Sequence, residues 1–126
     1  MTQPVSRSRP SRKDSLSLWH RVTVASVSNP GPDLSSRQLA ILMSVYLDDA
    51  IHTVRSLAEQ LNVTKAVITR AIDTLTRYGF VTRAPDQRDK RSVIIKRTTG
   101  GILFLQSFAD IIAAETNSAP LSLAAA

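Results

Sequence analysis

The chain has 126 residues and a mass of 13.8 kDa, enough for one domain with a modest core, and its 5% aromatic content makes that core an aliphatic one. Sixteen Lys and Arg against ten Asp and Glu give a formal charge of +6, which favours a polyanionic partner such as DNA, RNA or an acidic membrane surface. There is no cysteine, which excludes disulfides, thiolate metal sites and thiol redox sensing, and no apolar run approaches the roughly 18 residues that a membrane span needs.

Residues 1–14 are mostly Ser, Arg and Pro with almost nothing to bury, and read as a disordered basic arm. Composition leaves two uses open for it, a segment lying along a groove or the phosphates and a solubilising tail. An organellar transit peptide has a similar composition but is outweighed by the basic-arm reading. The next segment contains His20 and Arg21 and makes a poor signal-peptide core, so a cytoplasmic location is expected. Residues 15–27 are ambiguous. Leu16, Leu18, Val22 and Val24 alternate as in a strand, whereas Leu18, Trp19, Val22 and Ala25 form a helical stripe.

SNPGPD at 28–33 is a turn. Ser35 or Ser36 then caps a helix over 37–47 with Leu39, Leu42, Met43 and Tyr46 inward, expected to brace the helices after it from behind. Asp48 and Asp49 sit side by side at a helix end with no third ligand near them, which points to a solvated turn and not a metal site. His20 and His52 stand alone, without a nucleophile motif or ligand spacing. No catalytic constellation is visible, so neither an enzyme nor a metal or other cofactor is expected.

The stretch 53–83, TVRSLAEQLNVTKAVITRAIDTLTRYGFVTR, carries the strongest pattern in the chain. Val54, Leu57, Ala58 and Leu61 share one helical face, with Thr53 as N-cap. Asn62 suits the left-handed position that ends a helix, Val63 is a buried plug, and Thr64 caps the next helix. That helix, over 65–78, places Val67, Ile68, Ala71, Ile72 and Leu75 inward and Lys65, Thr69, Arg70, Asp73, Thr74 and Arg77 outward, and Gly79 stops it. Alone, such an outer face reads most simply as a solvated one. A face of short hydroxyl side chains and arginines also suits a DNA major groove, where Arg reads guanine and Thr or Ala meets thymine methyls. Beyond it, the apolar-polar runs 81–83 and 92–96 flank PDQRDKR, which makes a hairpin with a long charged tip.

Four features together, the L-A-E-Q-L-N-V-T-K core, the R-Y-G-F-V helix end, the D-x-x-D-x-R wing of Asp86, Asp89 and Arg91, and Thr98 before the last helix, resemble the MarR family of winged-helix transcription regulators. The likeness covers about residues 37–101. It implies that residues 15–27 are helical and that the first and last helices form a homodimer interface. Some members sense oxidants through cysteine, which this chain lacks. The last helix, over 99–115, is apolar around most of its circumference through Ile102, Leu103, Phe104, Leu105, Phe108, Ile111 and Ile112, more than one small domain buries alone. Two departures stand out. TNSAPLSLAAA follows Glu115, where the family commonly has a further long helix, and Arg97 precedes Thr98, where the family prefers Leu. Gly100 and Gly101 would each cost about 1 kcal/mol relative to Ala inside a helix.

The expected fold is therefore mainly α with a small β-hairpin wing, a winged helix-turn-helix. It would comprise an arm over 1–14, a DNA-binding domain with flanking dimerisation helices over 15–116, and a flexible tail over 117–126. The expected function is a sequence-specific, double-stranded-DNA-binding transcription regulator acting as a homodimer. The alternative is a winged helix serving as a protein-interaction module in a transcription or replication assembly. Lys65, Thr69, Arg70 and Thr74 address the major groove or its phosphates, with Arg70 reading guanine. Arg88, Lys90 and Arg91 reach the adjacent backbone and minor groove, Asp89 braces the wing by an ion pair, and Phe104, Phe108 and Ile111 serve dimerisation. No residue pattern points to a small-molecule effector.

Overall fold

The computed structural model describes residues 9–117. Most of the expected tail, and the first eight residues of the expected arm, lie outside them. Two compact units emerge among these residues, 31–108 and 9–30 together with 109–117.

The larger unit holds α2 (Ser36–Leu47), β1 (His52–Thr53), α3 (Val54–Leu61), α4 (Lys65–Arg77), β2 (Val81–Pro85), β3 (Val93–Arg97) and the first half of α5 (Thr99–Asn117). α2 starts in a capping box, with Ser35 Oγ accepting the Gln38 N–H at 3.1 Å and the Gln38 side chain accepting the Ser35 N–H at 2.9 Å. Its innermost residues are Ile41, Leu42 and Val45. The buried stripe is thus rotated from the expected one, and Leu39, Met43 and Tyr46 are only half-buried. The core joins these three innermost residues to Leu57, Ile68, Ile72, Leu75, Val81 and Ile95.

β2 runs two residues beyond the expected 81–83 and β3 is shifted by one from the expected 92–96, the two pairing antiparallel from Val81↔Arg97 to Pro85↔Val93. A third strand, absent from the expected fold, completes the sheet. The two residues of β1 pair with β3 through His52↔Ile95 and Thr53↔Ile94, giving the order β1-β3-β2. His52 is buried there, its Nε2 donating to the Asp48 carbonyl at 3.0 Å.

Both the arginine and the glycines at the start of the last helix have structural reasons. Arg97 Nε donates to the Val45 carbonyl at 2.8 Å and a terminal nitrogen to the Asp48 carbonyl at 3.1 Å, so this cation caps the end of α2. The two glycines lie where backbones meet. A Cβ at Gly101 would collide with the Tyr46 hydroxyl and the Phe80 carbonyl, and one at Gly100 with the Gly79 carbonyl. The Tyr46 hydroxyl accepts the Thr98 N–H at 2.8 Å and donates to the Phe80 carbonyl at 2.7 Å. Thr98 Oγ1 donates to the Gly79 carbonyl at 2.6 Å and accepts the Gly101 N–H at 3.0 Å. The root of α5 is thereby tied to the turn that ends α4.

Phe104 faces this unit's core, its ring centroid 4.5 Å from that of Phe80. It thus helps anchor α5 to its own domain. Phe108 and Ile111 are half-buried, and Ile102, Leu103 and Ile112 are exposed.

In the smaller unit, α1 spans Arg12–Ser28, so residues 15–27 are helical and not a strand. Ser11 Oγ caps it by accepting the Asp14 N–H at 3.1 Å. The last three residues assigned to a disordered arm are therefore its first turn, a start that a lone serine among serines conceals. Arg21 joins α1 to the end of α5, pairing with the Glu115 carboxylate at 3.4 Å and donating to its carbonyl at 3.2 Å.

Candidate nucleic-acid interface

The α3–α4 pair is fixed by local hydrogen bonds as its sequence suggests. Thr53 Oγ1 accepts the Ser56 N–H at 3.0 Å while Ser56 Oγ accepts the Thr53 N–H at 2.8 Å, closing a capping box with Ser in place of Glu. Asn62 sits in the left-handed region at φ 54° and ψ 49°, and the Val63 N–H reaches back to the Ala58 carbonyl at 3.1 Å. Thr64 Oγ1 accepts the Val67 N–H at 3.3 Å and starts α4. At its far end Gly79, at φ 77°, reverses the chain, with the Phe80 N–H on the Leu75 carbonyl at 2.9 Å.

α4 buries Ile68, Ala71, Ile72 and Leu75. At about 100° per residue, the strip opposite carries Ala66, Arg70, Asp73 and Arg77, with Lys65 and Thr69 towards one flank and Val67 and Thr74 towards the other. Lys65, Thr69 and Arg70 are exposed, whereas Thr74 is half-buried. The Thr74 hydroxyl is also engaged, donating to the Arg70 carbonyl at 3.2 Å and accepting from Arg77 at 3.3 Å.

Each flank borders an open groove. Lys65 shares one of about 410 Å³ with Arg55 at the start of α3 and with Asp89 and Arg91 of the wing. Arg70 and Thr74 share the other, of about 190 Å³, with Ser35, Arg37 and Gln38 at the start of α2. Lys65 and Arg91, which belong to separate motifs, are thus brought together. Arg37 and Arg55 are absent from the sequence-derived set, and only their sign marks them in the sequence.

The wing tip is held by its two aspartates. Asp86 Oδ1 accepts the Arg88 N–H at 2.9 Å and Asp89 Oδ1 the Arg91 N–H at 3.0 Å, two successive side-chain-to-backbone turns. The expected ion pair at Asp89 is therefore corrected. The ion pairs among the described residues are Arg21–Glu115, Arg55–Glu59, Arg83–Asp73 and Arg97–Asp49. A carboxylate oxygen turned inward to an amide two residues on satisfies the tip's backbone and leaves Arg88, Lys90 and Arg91 exposed and outside those pairs. Arg83 at the wing root instead pairs with Asp73 on α4, removing the one carboxylate of the helix's outer strip from competition with an anion. Among the described residues no cluster of His, Asp and Glu is arranged for a metal, and no helix is long and apolar enough to cross a membrane.

A pair of capped helices in a tight left-handed turn, followed by a basic hairpin on a three-stranded sheet, defines a winged helix-turn-helix protein. Residues 34–93 match the model of the MarR family. The chain is 41% identical over 80 residues to the HTH-type transcriptional repressor YetL of Bacillus subtilis, covering 62% of this chain and 47% of that one. It is 38% identical over 69 residues to the multiple antibiotic resistance protein MarR of Escherichia coli, covering 55% and 47%. The chain thus spans about half the length of these curated relatives. Among solved structures, a single-residue mutant of MepR from S. aureus superposes with a TM-score of 0.72 at 21% identity, over 85% of this chain and 76% of that one. A mutant of E. coli MarR complexed with operator DNA gives 0.61 at 28%, over 80% and 66%.

Proposed function

We propose that this chain is a sequence-specific transcription regulator that binds double-stranded DNA as a homodimer in the cytoplasm. The observation that carries the reading is the outer strip of α4, which is rigidly backed by the core, bordered by two basic grooves and cleared of free carboxylate by the Asp73–Arg83 pair. In this reading α4 enters the major groove through Lys65, Thr69 and Arg70, and Arg88, Lys90 and Arg91 hold the backbone and minor groove beside it. Thr74 takes a lesser part, since its hydroxyl is already bonded. The repressor name of one relative and the operator complex of another support the assignment. Exposed Leu16, Trp19, Val24 and Val27 on α1 and Ile102, Leu103 and Ile112 on α5 support a second copy as partner. Phe104, Phe108 and Ile111, each half-buried within one chain, remain the proposed dimerisation residues.

A genome-wide map of binding by the tagged protein, followed by footprinting of the enriched sites, tests the function. A recurring palindromic site is expected. Binding without sequence preference would favour the protein-interaction module instead.

A further inference from the structure

We propose that the groove between the start of α2 and α4 is a second phosphodiester-backbone site, with Arg37 and Arg70 as its charged walls, so that Arg70 positions the helix on DNA rather than reading guanine. The inference rests on the DNA-binding reading above and deepens it. Arg37 and Arg70 line one groove of about 190 Å³, together with Ser35, Gln38 and Thr74. Its lining contains two cations and no carboxylate. Neither guanidinium belongs to an ion pair among the described residues, although four other arginines do. Both side chains are exposed, and both are mounted on fixed backbone: Arg37 in a helix turn locked by the Ser35–Gln38 box, Arg70 opposite the buried Ile68 and Ile72. Two guanidiniums on one groove without a carboxylate partner set up a positive potential there, which an anion between them would neutralise.

The opposite flank gives the anion its identity. There Lys65, Arg55 and Arg91 border the second groove with Asp89, whose carboxylate accepts the Arg91 N–H, so α4 runs between two channels in which basic groups outnumber acidic ones. A helix seated in a major groove has a sugar-phosphate strand on each side, which is the charge pattern these channels complement. Base contact then falls to Ala66 on the outer strip and to Thr69 beside it, both exposed and without a side-chain partner among the described residues. Arg77, on the same strip, is bonded to Thr74.

The test measures wild type, Arg37→Ala, Arg37→Lys, Arg70→Ala and the Ala double variant on a library of operator duplexes at several salt concentrations. Circular dichroism melts confirm that each variant is folded. The expected result is a loss of roughly tenfold per chain for each Ala variant, equal across the library. The slope of log K against log salt becomes shallower by roughly 0.9 for each phosphate no longer held. The double variant loses less than the product of the two single losses because both residues hold one phosphate, and Arg37→Lys keeps most of the slope. The proposal is overturned if Arg37→Ala matches wild type in affinity and slope, or if Arg70→Ala relaxes preference at one symmetric pair of positions. Either result leaves the DNA-binding reading intact. A wild-type protein that binds no duplex with sequence preference overturns both.

Discussion

α4 and the wing offer similar chemistry, basic side chains on an exposed surface, but hold it by different means. α4 is backed by Ile68, Ile72 and Leu75, all fully buried, and its caps complete the backbone at both ends. The wing tip has no such backing. Residues 86–92 are fixed by hydrogen bonds from Asp86, Asp89 and Ser92 within the loop itself. Helix position is thus a property of the whole domain, and tip position a local one. Stability and DNA affinity should move together when α4's support is damaged and separate when the tip's is.

The largest effect should follow Leu75→Ala, which opens a cavity under α4 and is expected to cost about 2–5 kcal/mol. Urea denaturation would register the loss, and DNA affinity should fall with it at temperatures where the native fraction drops. Full stability after this change would contradict the buried position of Leu75. Tyr46→Phe should come next. It leaves the Thr98 N–H and the Phe80 carbonyl without their shared partner, and about 1–3 kcal/mol is the expected cost. Gly101→Ala would attack the same junction by collision, and the two variants together should cost less than their sum because they disrupt one contact.

How much of this is legible in the sequence depends on how far apart the cooperating residues lie. The α3–α4 turn is readable because Thr53, Asn62, Thr64 and Gly79 each act on backbone within a few residues. The inner face of α4 is readable because its spacing is strongly periodic. The Tyr46–Thr98 clasp and the Arg97 cap join residues about fifty positions apart, and no local pattern announces them. Gly100 and Gly101 read as a helix penalty for the same reason, since the backbone and hydroxyl they admit come from elsewhere. That Phe104 packs against Phe80 is not legible, because apolarity does not say which apolar partner a ring meets. At the candidate site, the sign and exposure of Lys65, Arg70, Arg88, Lys90 and Arg91 are legible, whereas Arg37 and Arg55 need the folded helices to bring them beside α4.

On the wing, Asp89 holds the tip through its own oxygen. Asp89→Asn keeps an oxygen for the Arg91 N–H and should bind DNA within about twofold of wild type, because an amide substitutes for a carboxylate in such a turn. Asp89→Ala removes that acceptor and should weaken affinity several-fold across all sequences, with a change in unfolding free energy below about 1 kcal/mol. Equal losses in both variants, measured by fluorescence anisotropy at fixed salt, would restore an ion-pair role. Smallest of all should be Arg55→Ala. Its pair with Glu59 is well exposed, so the cost in folding stability is about 0.3–0.5 kcal/mol at most, and a loss of affinity in the folded variant reports a DNA contact in the Lys65 groove.

The most direct test of the central claim is selection of the wild-type protein on a randomised duplex library, with the mass of the bound complex determined by sedimentation. The expected result is enrichment of a palindrome whose half-sites lie about one helical turn, roughly 10 base pairs, apart or a multiple of it, bound by two copies of the chain. Recovery of duplexes with no common sequence, or of a single half-site bound by one copy, would contradict it.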